Sequence, residues 1–268
     1  MLKILFIGDI YGKLGRETLR KLLPKIKREH KPDFIIANAE NVAHGSGITE
    51  ITMNEIFDLG VDCITLGDHA FDRPKDAKDC LNSGMNIIRP ANLPDQNTGK
   101  GLITIEKNGH IYTIINLLGR VNMPFCYDCP FKKLDLLLNE LKLANIKSSA
   151  IIVDIHAETT AEKICFGHFA DSKVTAVLGT HTHIPTADAR LLPKGTAYIT
   201  DTGMTGAYNE SLGLGLENAI KTLIDQTKHS RVTPDKGEVQ LNCVLVEVDE
   251  KKAKPKSIKQ LTYLSEIK

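Results

Sequence analysis

Residues 3–16 read KILFIGDIYGKLGR: Ile4, Leu5, Phe6 and Ile7 form a continuous apolar run that stops on Gly8-Asp9 and gives way to a helical pattern. A run of that length suits a strand buried on both faces, and it is far too short for a membrane span or a signal-peptide core. Working outward, the pattern recurs. Leu19, Leu22, Leu23 and Ile26 lie at helical spacing within residues 15–30, and Pro32-Asp33 restarts the chain into a second strand over 34–37. A helix over 49–59 leads to a third strand over 62–66, and a further helix is expected over 74–83. After Ile87-Ile88 the grammar turns antiparallel. Strands over 101–106 and 111–117 flank Lys107-Asn108-Gly109, and Asn-Gly is a strong short-range hairpin signal. A helix over 131–143 and strands over 150–155, 173–178 and 197–200 follow, and alternation marks half-buried strands over 239–248 and 256–264. Apolar strands alternating with helices predict an α/β fold.

The composition narrows the function. With 34 Lys and Arg against 33 Asp and Glu, the net charge of +1 advertises neither nucleic acid nor an acidic membrane surface, and no stable nucleic-acid complex is expected. The basic KKAKPK at 251–256 lacks interleaved aromatics and reads as a solvated turn. Aromatics are 5% of the chain and Trp is absent, so Ile, Leu, Val and Ala must fill the core. No stretch reaches the length of a membrane helix, which predicts a soluble protein. Six cysteines in 268 residues are too sparse for a disulfide scaffold, and a reduced, cytoplasmic location is expected. The lone Cys126-x-x-Cys129 pair reads as incidental placement, since zinc sites of that type need a second pair.

The informative residues are those that follow the apolar runs. Asp9 follows the first, Glu40-Asn41 the second and Asp68-His69 the third; His156 ends a later one, and His181 with His183 closes the GTHTH stretch. Taken singly, each has a plain structural reading: Asp9 as a helix cap, Glu40-Asn41 as a turn stabiliser, His156 as a hydrogen-bonded core histidine. Together they place carboxylates and imidazoles at the carboxyl ends of strands, where α/β sheets bind ligands. That mixed oxygen and nitrogen set suits iron, manganese, zinc or another first-row divalent ion, with enough candidates for two ions and Glu40 able to bridge them. An extended backbone through GTHTH puts His181 and His183 on one face. The Gly8–Gly15 segment matches neither a dinucleotide fingerprint nor a P-loop.

The ordered set ILFIGDIYGKLGR, IIANAENVAHGSGIT, ITLGDHAFDR, RPANLP, NLLGRV, VDIHAE and VLGTHTHIPTADARLLPKGTAYITDTGMTG resembles the calcineurin-like metallophosphoesterase superfamily, and within it the YmdB family. The resemblance implies a four-layer α/β/β/α sandwich forming a single domain over residues 1–268, with two metal ions at strand ends and 2′,3′-cyclic nucleotides such as 2′,3′-cAMP as substrates. It implies that Asp9, Glu40 and His183 hold one ion, that Glu40 bridges to a second held by Asp68, His156 and His181, that Asn41 lies near the first ion and the substrate phosphate, and that His69 is the catalytic histidine beside the leaving group. Iron or manganese is favoured, with zinc or magnesium as alternatives, and metal-hydroxide attack on phosphorus is the implied chemistry. A homodimer or higher homo-oligomer is expected. Asp9 lacks the following histidine that many superfamily members use, and Gly67-Asp68-His69 stands where the family has Gly-Asn-His. The extra carboxylate holds a cation more tightly and weakens the positive field felt by a phosphate. A slow or inactive phosphate- or nucleotide-sensing module with the same site, or a phosphatase, is the alternative reading.

Overall fold

The opening apolar run is the interior strand about which one of two sheets is built. In the computed structural model, which describes residues 1–230 and 232–268, the first part of the chain forms β1 (Leu2–Ile7), β2 (Asp9–Ile10), α1 (Gly12–His30), β3 (Phe34–Asn38), α2 (Glu50–Asp58), β4 (Cys63–Thr65), α3 (Pro74–Asn82) and β5 (Ile87–Ile88). The middle forms β6 (Leu102–Lys107), β7 (His110–Leu118), α4 (Pro130–Leu143), β8 (Ala150–His156), α5 (Thr160–Ala170), β9 (Ala176–Thr180), β10 (Arg190–Leu191) and β11 (Ala197–Ile199). The last part forms β12 (Met204–Ala207), α6 (Leu216–Asp225), β13 (Gly237–Asp249) and β14 (Lys254–Ile267).

One sheet runs β2-β12-β13-β1-β3-β4-β5, with β14 paired to β13, and the other runs β10-β11-β9-β8-β7-β6. β1, β3, β4 and β5 are mutually parallel, as are β7, β8, β9 and β11, so each sheet gathers several carboxyl ends at one edge. Strand alternation assigns the layers. Ile4 and Phe6 of β1, Phe34 and Ile36 of β3, Ile114 of β7, Ile152 of β8 and Leu178 of β9 meet between the sheets. Leu5 and Ile7 face the other way and pack with Leu19, Leu23 and Ile26 of α1 and Met53 and Ile56 of α2. Leu117, Val153, Ile155 and Val177 form the outer face of the second sheet against Leu134 of α4 and Phe166 of α5. The result is the expected α/β/β/α sandwich.

The same alternation prepares the site. Two residues beyond Ile36 comes Asn38, two beyond Cys63 comes Thr65, two beyond Leu178 comes Thr180, and Ile152 is followed by Asp154 and then His156; all are fully buried. The layer between the sheets is therefore apolar along most of its length and turns polar at the carboxyl ends.

The hairpin of β6 and β7 forms as read, with Asn108 at φ 54° and Gly109 at φ 77°, the left-handed pair that a two-residue type I′ turn requires. The basic 251–256 stretch falls on the turn into β14. The cysteines are free. α1 begins earlier than its periodicity indicates and carries Pro24 within it. The sequence reading contains neither α5 nor α6. α5 buries Glu162 and Lys163, which breaks the apolar stripe a helix reading relies on, and α6 has no buried residue. Among the described residues, no helix is long and apolar enough to cross a membrane.

Candidate metal centre

Of the eight strand-end residues singled out from the sequence, seven converge at the shared carboxyl edge of the two sheets and His69 stands on the rim. Asp9 is the first residue of β2, held there by parallel pairing with Met204 of β12. Glu40 and Asn41 follow β3, Asp68 and His69 follow β4, and His156 is the last residue of β8. His181 and His183 reach the site by a route other than the one expected. β9 stops at Thr180, and the two histidines have left-handed backbones with φ 94° and 65°, so no extended pleat puts them side by side. Such conformations cost about 1–3 kcal/mol each and persist only where the surroundings over-determine them. Here a buried ion pair does so. Lys163 Nζ donates to the Thr180 carbonyl at 2.6 Å and to Asp201 Oδ2 at 2.7 Å, and Asp201 Oδ2 also accepts from Thr182 N at 3.1 Å and Thr182 Oγ1 at 2.7 Å.

Glu40, Asp68, His156 and His181 each offer a ligand atom, and all four atoms lie within 4.8 Å of one another. His156 Nε2 is 2.9 Å from Asp68 Oδ1, 3.2 Å from Glu40 Oε1 and 3.0 Å from His181 Nδ1. On the other side of Glu40, Asp9 Oδ1 lies 4.0 Å from His183 Nε2, and Asn41 Nδ2 lies 3.0 Å from Glu40 Oε1 and 3.3 Å from His183 Nε2. Three features fit a bound cation. The donor set is the mixed carboxylate and imidazole kind that first-row ions take. Asp9 Oδ1 is buried without a hydrogen-bond partner. The chain passes so close at Gly67 that a Cβ there would sit 2.2 Å from Glu40 Oε2 and 2.4 Å from His156 Nε2.

The protonation equilibria agree. Burial drives the Asp9 carboxyl above its usual range against the pull of His183 and His156. Burial acts in the same direction on Glu40, but the charge and hydrogen bond of His156 prevail and hold it below the usual range. Asp68 lies well below its ordinary range, because its bonds to His156 and His181 outweigh burial. The His156 imidazole is held well above its ordinary value, with Glu40, Asp68 and Asp9 overcoming burial. Buried carboxylates facing one another need a counter-charge, and a cation supplies it more completely than protonated histidine.

Each histidine has its second nitrogen occupied. His156 Nδ1 is 2.9 Å from Thr180 Oγ1, His181 Nε2 is 3.0 Å from Glu158 Oε2, and His183 Nδ1 is 3.1 Å from the Leu212 carbonyl. Partners of this kind set the orientation of a metal-binding imidazole. His69 is the exception in role: its Nδ1 is 2.7 Å from Asp72 Oδ2, and its backbone N donates to Glu40 Oε2 at 2.9 Å. Burial acts to lower its basicity, and Glu40, Asp68 and Asp72 together raise it, so its protonated form persists beyond the usual histidine range. The sequence reading missed Asp72, Glu158, Thr180 and Leu212. Asp72 is three residues from His69 and Glu158 two from His156, so local spacing was a usable signal for those; Leu212 and the Lys163–Asp201 pair left none. The cleft of ≈ 280 Å³ over the centre is lined by Tyr11, Asn41, His69, Glu158, His181 and Leu212 among others, with no Lys or Arg among its described lining residues.

A two-sheet sandwich carrying this cluster at its joined carboxyl edge is a calcineurin-like metallophosphoesterase, a metal-dependent hydrolase of phosphoesters. Residues 5–261 match the model of the YmdB-like protein family, and the chain belongs to that family. It is 42% identical over 260 residues to a 2′,3′-cyclic-nucleotide 2′-phosphodiesterase of Bacillus subtilis, covering 97% of this chain and 96% of that protein. Its structure resembles that of a protein described as a novel phosphatase from Mycoplasma pneumoniae, at 35% identity and TM-score 0.90, over 99% of this chain and 94% of the other. A Thermus thermophilus protein superposes over 100% of both chains at 34% identity and TM-score 0.89. A Staphylococcus aureus protein described as a 5′-nucleotidase shares the fold alone, at 15% identity and TM-score 0.60 over 99% of this chain and 54% of that one.

Proposed function

We propose that the protein is a dinuclear metal-dependent phosphodiesterase that hydrolyses small cyclic nucleotides of the 2′,3′ kind. The observation that carries this reading is the convergence of Glu40, Asp68, His156 and His181, with Asp9 and His183 beside them, at one edge of two sheets. The activity named for the B. subtilis relative supports the substrate class. Asp9, Glu40 and His183 are assigned to one ion, and Glu40, Asp68, His156 and His181 to the other, with iron or manganese favoured over zinc or magnesium. When bound, such ions supply Lewis acidity toward the phosphoryl oxygens and lower the pKa of water into the neutral range. The chain's own residues do the rest. Asn41 presents an amide donor beside the first ion's ligands. His69, kept protonated by the carboxylates around it and oriented by Asp72, delivers a proton to the departing ribose oxygen. With no Lys or Arg among the described cleft residues, affinity for the phosphate depends on the metal charge. The same reading takes the chain as a single cytoplasmic domain that self-associates.

The test is to purify the protein without added metal, measure its metal content, strip it, and assay 2′,3′-cAMP hydrolysis after reloading with each ion, identifying the monophosphate isomer by chromatography. Two ions per chain and turnover within the ordinary enzyme range of about 1–10³ s⁻¹ are expected. Tight nucleotide binding with turnover below about 10⁻² s⁻¹ under every ion overturns the enzymatic reading in favour of a sensor. Faster hydrolysis of phosphomonoesters than of cyclic diesters overturns the substrate class.

A further inference from the structure

The polar end of the layer between the sheets holds a buried hydrogen-bonded chain directly behind the metal centre. Asp154 lies two residues before His156 on β8 and faces the same way, and β9 pairs beside it with His156 opposite Thr180. Thr180 Oγ1 lies 2.9 Å from His156 Nδ1 and 2.6 Å from Asp154 Oδ1. From the opposite sheet, Thr65 Oγ1 donates to Asp154 Oδ2 at 2.6 Å and Asn38 Nδ2 donates to it at 3.1 Å. Asn38, Thr65, Asp154, His156 and Thr180 are all fully buried.

Counting donors assigns the directions. Asp154 faces two hydroxyls and an amide NH₂, and a carboxylate accepts from all three. The single hydroxyl hydrogen of Thr180 then goes to Asp154 Oδ1, leaving the Thr180 oxygen as an acceptor. His156 Nδ1 must therefore be the donor to Thr180, and Nε2 is the nitrogen turned toward Glu40, Asp68 and His181. An apolar residue at 154 would continue the face of Ile152 without desolvating a charge, so the carboxylate is a costly choice for packing alone.

We infer that Asp154, acting through Thr180, is a positioning residue that locks the His156 ring with Nε2 toward the cation and, through Asn38 and Thr65, ties the sheet bearing His156 and His181 to the sheet bearing Glu40 and Asp68. The lock sets both the aim of one ligand and the separation of the two halves of the ligand set. It rests on the reading of this cluster as the metal centre of a phosphodiesterase.

Three variants separate this role from plain stability. Thr180→Val deletes the connecting hydroxyl, and Thr180→Ser keeps it. Thr175→Val removes a comparably buried hydroxyl just before β9, where Thr175 Oγ1 accepts from Ile151 N at 2.9 Å and donates to the Ala253 carbonyl at 3.3 Å, remote from the centre. Each protein, stripped of metal, is titrated with zinc against a chromophoric chelator, and its thermal unfolding is recorded alongside. Thr180→Val is expected to weaken zinc binding about 10–100-fold, Thr180→Ser to bind as the wild type does, and Thr175→Val to lose thermal stability without losing affinity. Nitrogen NMR of the zinc-loaded wild type should show His156 protonated at Nδ1 and ligating through Nε2, with the Nδ1 proton losing its exchange protection in Thr180→Val. Asp154→Asn keeps an oxygen for Thr180 but sets an amide against the Asn38 or Thr65 donors. It should weaken zinc binding over the same range and add little when combined with Thr180→Val. Wild-type zinc affinity in folded Thr180→Val or in Asp154→Asn, or an equal loss in Thr175→Val, overturns the inference. Because the readout is zinc affinity, an unaffected Thr180→Val leaves the phosphodiesterase reading standing, whereas a zinc-binding wild type inert toward every phosphoester overturns that reading and not the lock.

Discussion

Replacing Gly67 with alanine adds one methyl group at the tightest point of the centre. The new carbon would lie 2.2 Å from Glu40 Oε2, 2.4 Å from His156 Nε2 and 2.5 Å from His156 Cε1. Ordinary nonbonded contact is about 3.5–4.0 Å, so both side chains must retreat by roughly 1 Å or more. Both are tethered where they stand. The His156 ring is buried and held through Thr180, and the Glu40 carboxylate is bonded to His69 N and Asn41 Nδ2. Gly67 is not among the positive-φ glycines, so alanine meets a steric obstacle and not a backbone one. Overpacking of this kind costs about 1–3 kcal/mol, which for a chain of this size lowers Tm by roughly 2–12 °C. The effect on metal is larger, because two members of the ligand cluster move together; displacing them exceeds the loss of a supporting contact, and at least about a 100-fold fall in affinity follows. Chelator competition on the stripped protein measures the affinity, and thermal unfolding without metal measures the packing cost. A folded Gly67→Ala protein with wild-type affinity would refute the placement of Glu40 and His156 around this glycine, and with it the ligand set.

His69→Ala should retain metal and lose about 10²–10⁴-fold in turnover of a cyclic nucleotide, with a much smaller loss on an activated aryl phosphodiester; equal losses on both substrates would count against proton donation. Asp72→Asn removes one of the charges that raise the His69 pKa, so the group loses its proton at lower pH and the alkaline limb of the pH–rate profile should move down; an unmoved limb contradicts the pairing. Asp68→Asn should weaken metal retention yet give equal or higher kcat at saturating metal, with the acidic limb shifted to lower pH, because less ligand charge then offsets the ions; unchanged affinity would remove Asp68 from the ligands. Away from the site, Asp188 accepts from Thr186 Oγ1 and Thr200 Oγ1, both at 2.6 Å, and these bonds hold its carboxyl below the ordinary range against burial. The stability it contributes is present above its unfolded pKa of about 3.9 and is lost as pH falls through its lower folded value. Urea unfolding of Asp188→Asn should therefore show a lower midpoint than the wild type at neutral pH and no difference in strong acid.

The sequence by itself determined the alternation of buried strands with helices and marked the strand-end residues that the fold brings together, while the four-layer arrangement rested on the resemblance of the ordered motifs. The strands and their ends follow from local patterns: the continuous apolar runs through Ile4–Ile7 and residues 150–153 announce strands buried on both faces, and a polar residue at the end of such a run announces a strand terminus facing a crevice. That is why Asp9, Glu40, Asp68, His156 and the two GTHTH histidines were legible without coordinates. The Asn108-Gly109 hairpin was legible for the same reason, because its geometry is decided by its own two residues. Only the tertiary structure decided how those residues are aimed. The left-handed turns of His181 and His183 depend on Lys163 and Asp201, which are 38 residues apart, and α5 itself was hidden because Lys163 and Glu162 are buried where its apolar stripe would run. Glu162 is spent on the loop after β7, accepting from Arg120 N and Val121 N. The orientation of His156 depends on Thr180, 24 residues away, and through Asp154 on side chains of the opposite sheet. Pairings of this kind arise from the packing of one sheet on another, and spacing along a chain carries no measure of that distance.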